Sequence, residues 1–235
     1  MTSELLVLTP VAASIAVAHT LAGPDHYLPF IAMARARGWG AWRTAWVTAL
    51  CGLGHIASSV VLAALGGVAL LRAERIAQIE SLRGEIAAWG LIAFGLAYTA
   101  WGVRRALRSR RHDHRHAHDD GTVHEHGHDH HGVHLHAHGR PGSLTPWVLF
   151  TIFLFGPCEP LIPLLLVPAV RESAFGFAWI AAVFGAVTIA TMLAAVAVAL
   201  RGLQVFRTDR LERWTHALAG VTVLACGLGM VVLGL

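Results

Sequence analysis

Six long apolar runs constrain this chain more than any other feature. They cover about residues 12–34, 43–70, 86–103, 147–170, 174–200 and 214–235 of 235. Roughly 20 apolar residues span the hydrocarbon of a bilayer as a helix. No water is available there, so each run must satisfy its own backbone donors and acceptors, which a helix does. The expectation is an all-α, polytopic membrane protein with six transmembrane helices. Charged residues make up 14% of the chain, about half the share of an ordinary soluble domain. The first run is too long for a cleaved signal peptide and has no basic residue before it.

The net charge of +4 comes with 18 arginines and no lysine. The first, third and fifth connections between runs hold 14 of those arginines, among them Arg35, Arg37, Arg104, Arg105 and Arg201. Cationic residues favour the cytoplasmic side. Both termini are therefore expected outside and the odd connections inside, in the cytoplasmic (inner) membrane of a bacterium. So placed, the basic charge is a topology signal, and no nucleic-acid partner is implied. In the second connection, residues 72–85 with Glu80 and Arg83 read as a short outer surface helix. Trp39, Trp42, Trp46, Trp147 and Trp214 read as interface anchors, and His216 is given no role.

The third connection, 104–142, is the sharpest break in composition. It holds 12 of the 16 histidines: His112, His114, His116, His118, His124, His126, His128, His130, His131, His134, His136 and His138. It has almost no apolar residues with which to fold alone, so a disordered cytoplasmic loop is expected. Such histidine tracts bind first-row metals without fixed geometry, which suits capture or buffering. The loop divides the chain into a first three-helix part (1–103) and a second (143–235).

The two parts align as repeats. Gly23-Pro24-Asp25-His26-Tyr27-Leu28-Pro29 can be laid on Gly156-Pro157-Cys158-Glu159-Pro160-Leu161-Ile162. The same offset pairs Gly52 with Gly185, His55 with Thr188 and Ser58 with Thr191. With three spans per repeat, the second copy runs inverted. Proline removes a backbone donor and clashes with the preceding turn, so the first and fourth helices are expected to break. Transporters built from inverted repeats with broken helices hold their ion at the repeat interface.

The polar residues inside the runs cluster at these breaks. His19, Asp25 and His26 lie within eight residues of an otherwise apolar run. One ionisable group at mid-bilayer costs about 2.5–3.5 kcal/mol on insertion scales, and a bound cation offsets that cost. Imidazole and carboxylate ligate nickel, cobalt and zinc. His55 sits at similar depth in the second run, with Ser58 and Ser59 on its helical face. Cys158 and Glu159 flank the second break, and a thiolate there would favour softer metals. The candidate ligands are thus His19, Asp25, His26, His55, Cys158 and Glu159, with Ser58, Ser59 and Thr188 along a path. The plainer alternatives are helix capping by Asp25, hydrogen bonding of a lone His55 and a protonated Glu159. Cys51 and Cys226 read as small apolar residues.

His19 followed by Asp25-His26, then Gly54-His55 with Ser58-Ser59, then a histidine-rich loop, resembles the nickel–cobalt transporter family. Its relatives include efflux proteins and urease-accessory transport proteins. The resemblance implies metal recognition by His19, Asp25 and His26, with His55 matching the second family motif. Two departures stand out. Nickel permeases have four residues between the His and the Asp-His, whereas here there are five, 20–24. Gly156-Pro157-Cys158-Glu159-Pro160 is closer to the proline-cysteine motif of the efflux branch. Metal identity and direction stay open.

The leading expectation is transmembrane transport of nickel or cobalt, with zinc or another divalent ion as alternatives and no permanent cofactor. A cytoplasmic metallochaperone or metalloenzyme maturation system is the expected protein partner. No nucleotide loop, nucleophile elbow or zinc-protease helix is present, so no enzyme activity is expected. Two other readings remain: a membrane thiol–disulfide electron carrier, suggested by Pro157-Cys158, and a metal-sensing or metallochaperone-docking subunit that transports nothing.

Overall fold

A computed structural model describes residues 3–68, 73–108, 112–117, 123–128, 144–167, 173–204 and 213–233. Helix α1 covers Ser3–Ala22; after a 3-10 turn at Pro24–His26, α2 covers Leu28–Arg37. Then follow α3 (Ala41–Val68), α4 (Ala73–Arg108), α5 (Thr145–Phe155), α6 (Leu161–Leu166), α7 (Ala174–Gln204) and α8 (Thr215–Leu233). Among the described residues, five helices are long and apolar enough to cross a membrane: α1, α3, α4, α7 and α8. Large apolar side chains such as Leu6, Val7, Leu53, Leu65, Val198 and Val232 face outward. A hydrocarbon solvent tolerates such a surface and water does not. This is the build of a polytopic integral membrane protein.

The breaks expected in the first and fourth spans are found. The expected fourth span, 147–170, is cut by Gly156-Pro157 into α5, with 11 residues, and α6, with 6. Eleven residues rise about 16 Å, too little to cross. The expected first span is likewise cut, since α1 begins at Ser3 and stops at Ala22 before Gly23-Pro24. Helix α2 ends where Gly38 adopts φ 61°, and its N–H returns to the Ala34 and Arg35 carbonyls.

Two expectations are corrected. Residues 73–85 are not a separate surface helix but the opening turns of α4. Helix α4 also runs past residue 103 to Arg108, into the segment expected to be loop. Beyond it, β1 (His112–Ala117) and β2 (Val123–His128) pair antiparallel, where no regular structure was expected. Their register sets His112 opposite His128, His114 opposite His126 and His116 opposite His124. His118, His130, His131, His134, His136 and His138 lie outside the described residues.

Small residues let the long helices approach closely. Helix α4 packs along α8, and α3 along α7. A Cβ built on Gly95 would meet Leu224, and one on Gly220 would meet Thr99. Gly102 faces Ala217, and Gly227 faces Ile92. Rising numbers on α4 meet falling numbers on α8, so the pair is antiparallel. Between lipid-immersed helices, close van der Waals contact of this kind drives association in place of the hydrophobic effect. Helix α1 packs on α7 and α5 packs on α3, so each interrupted segment lies against the opposite half of the chain.

Candidate metal centre

The first break delivers two of the three site histidines. The Gly23 N–H bonds to the His19 carbonyl and closes the last turn of α1. Pro24 has no N–H to continue it, and the chain turns through Pro24–His26 before α2 begins. The Tyr27 hydroxyl donates to the Leu21 carbonyl, a group the break leaves free. His26 is thereby swung back toward His19, their ring centroids 4.7 Å apart. His55, from the middle of α3, completes the set at 5.1 Å from His26 and 6.3 Å from His19. One ring nitrogen from each of the three lies within 4.8 Å of the others.

The hydrogen bonding leaves these rings ready to act as donors. His26 Nδ1 is 3.2 Å from the Gly23 carbonyl and 3.3 Å from Asp25 Oδ1, both acceptors. Nδ1 therefore carries the proton, and Nε2 keeps its lone pair. A carboxylate or carbonyl behind a histidine is the arrangement that orients metal-ligating imidazoles. The Nε2 atoms of His19, His26 and His55 are all buried and have no hydrogen-bond partner. Unbonded buried polar atoms are costly, and an ion between them removes that cost three times over. Metal–nitrogen bonds of about 2.0–2.1 Å need the rings to draw together slightly. A narrow crevice lined by Asp25, His55, Phe153, Gly156 and Met230 opens onto the group.

The other candidates are placed differently. Asp25 stands behind His26 as its hydrogen-bond partner. Cys158 and Glu159, expected as ligands, are not part of the histidine group. After Gly156 the chain turns, burying Cys158 against Leu161, Ile56 and Phe184 and leaving Glu159 exposed on a cavity wall. Ser58 donates to the His55 carbonyl, and Ser59 is buried one residue on. Thr188 is buried with its hydroxyl unbonded. The three cysteines are free and sit in three separate packed groups, so no pair is poised for exchange.

The residues not foreseen are Arg83 and Glu80. Their side chains are 13% and 3% exposed and bond at 2.8 Å. Arg83 also donates to Ser58, to Ser59 and to the Leu154 and Gly156 carbonyls. One guanidinium thus ties α4 to the face of α3 that carries His55 and caps the carbonyls freed by the second break. The sequence trace of this was slight: an i,i+3 acid–base pair next to an apolar run.

No family model matches the chain, and no curated protein or solved structure matches it either.

Proposed function

We propose that this chain carries a divalent first-row transition-metal ion, nickel or cobalt foremost, across the bilayer by way of His19, His26 and His55. The observation that carries this reading is the convergence of three imidazoles with unbonded Nε2 atoms beside a helix break inside the bundle. Three nitrogen donors with no thiolate suit nickel, cobalt and zinc better than magnesium or calcium. A structural site takes four protein ligands, while three leave a position open for exchange. A passenger ion needs that open position. The motif resemblance to nickel–cobalt transporters points the same way.

The transport plan is two inverted repeats of three spans each, the broken α1–α2 with α3 and α4, and the broken α5–α6 with α7 and α8, rocking about the site. Reciprocal contacts support it. Gly52 faces Ile189 and Gly185 faces Ile56, and an offset of 133 turns one pair into the other. That offset is the one that aligns the two Gly-Pro breaks. Both termini lie outside in this plan, and the 112–138 segment faces the cytoplasm, where it passes metal to or takes it from a maturation partner.

The test is flux of nickel, cobalt, zinc and manganese in proteoliposomes holding the full chain. Flux of one or two metals, abolished in His26→Ala/His55→Ala, is the expected result. Metal binding without flux would overturn transport and favour the sensing or docking subunit.

A further inference from the structure

A narrow crevice reaches the three-histidine group from the side of the second helix break. A cavity of about 320 Å³ lies between the α4 opening turns, the second helix break and the end of α8. Its walls include Glu85, Trp89, Pro157, Glu159 and Met230. The narrow crevice at the histidines adjoins this cavity: Met230 lines both, and Pro157 and Gly156 are consecutive. At the crevice's inner end stands His55, 3% exposed, its Nε2 unbonded. Phe30, Met33, Cys51, Leu149, Phe153 and Met192 form one packed, buried group, of which Phe153 also lines the crevice. The Phe30 and Phe153 rings meet at 4.8 Å within that group, and the unbonded Thr48 hydroxyl is buried on α3 two turns before His55.

We infer that the ion enters or leaves the histidine site through this cavity, with Glu85 and Glu159 gathering cations at its wall and Met230 gating the crevice. The inference rests on the metal-transport reading above. The two carboxylates are exposed and outside the histidine group, so they attract ions without holding them. A cleft lined by one sign of charge with low-dielectric walls raises the local concentration of its counter-ion. Met230 is suited to gating because an unbranched thioether changes shape at little cost. In this arrangement Glu159 is a collector at the mouth, not a ligand.

Stopped-flow cobalt(II) binding to the purified full chain, read by the cobalt absorption band, separates the parts. In Glu85→Gln/Glu159→Gln the association rate should fall by about tenfold or more and lose its dependence on ionic strength, with dissociation unchanged. In Met230→Trp both rates should fall by about tenfold while their ratio stays constant. Unaltered rates in the glutamine pair, whose exposed positions leave folding intact, would overturn the route while cobalt binding itself survives. Absence of cobalt binding in the unaltered chain would overturn the site on which the route depends.

Discussion

The ring of His55 lies directly on Gly156, where an added Cβ would stand 2.9 Å from Nδ1. Gly23 holds the same relation to His26, at 2.6 Å. Each glycine of the two Gly-Pro breaks thus clears room for a site imidazole. In Gly156→Ala the His55 ring must move by several tenths of an ångström. Overpacking of this size costs about 1–3 kcal/mol, which is roughly a ten- to hundredfold loss of metal affinity if it falls on the site. Cobalt titration measures it, with circular dichroism as the check on folding. Unaltered affinity in a folded variant would mean that the ring is not held by this contact.

Removing any one of the three imidazoles should abolish the strong cobalt(II) absorption of a low-coordinate site and most of the affinity. His19→Ala, His26→Ala and His55→Ala are the variants. Cys158→Ser should leave the spectrum unchanged, because its sulfur is packed among apolar side chains away from the rings. A sulfur-to-cobalt charge-transfer band lost in Cys158→Ser would restore the thiol as a ligand.

Asp25→Asn tests the layer behind the ligands. Asp25 Oδ1 accepts from His26 Nδ1 and fixes which nitrogen faces the ion. Loss of such a partner lowers metal affinity by about 10- to 100-fold. The position of the cobalt band should stay as it was, since no ligand is exchanged. A shifted band would make Asp25 a direct ligand.

Arg83 and Glu80 are held to one another inside the protein, so breaking the pair is worse than deleting it. Arg83→Ala leaves a buried carboxylate and uncaps two carbonyls, at a cost of about 3–5 kcal/mol. Its thermal midpoint should fall well below that of Arg83→Met/Glu80→Leu, which leaves no charge behind. Equal midpoints for the two variants would assign Arg83's importance to its carbonyl contacts alone.

The sequence exposed the parts of this site that violate the apolar background. Histidines at 19, 26 and 55 and glycine–proline pairs at two places are anomalies in any lipid-facing helix, and each coincides with a site ring or a break. Glu80 and Arg83 were not legible, because 72–85 is polar enough to read as surface. Their partners, the Ser58 and Ser59 hydroxyls and the Gly156 carbonyl, come from elements far away in the chain. The places of Cys158 and Glu159 were not legible either. They adjoin a break in sequence, but the turn after Gly156 sends one into packing and the other to the surface.

The histidine-rich segment and the intramembrane histidines should separate cleanly on deletion. Residues 112–138 follow α4 in the chain and hold 12 of the 16 histidines. Such a histidine tract is expected to bind several ions weakly and without fixed geometry. A chain lacking 112–138 should bind fewer cobalt ions per molecule yet keep the absorption band and the flux at saturating metal. The loss should appear only at low metal, where capture by the loop raises the supply to the site. Disappearance of the band on deletion would move the principal metal site out of the bundle, and flux without 112–138 at every metal concentration equal to the full chain would leave the loop no part in supply.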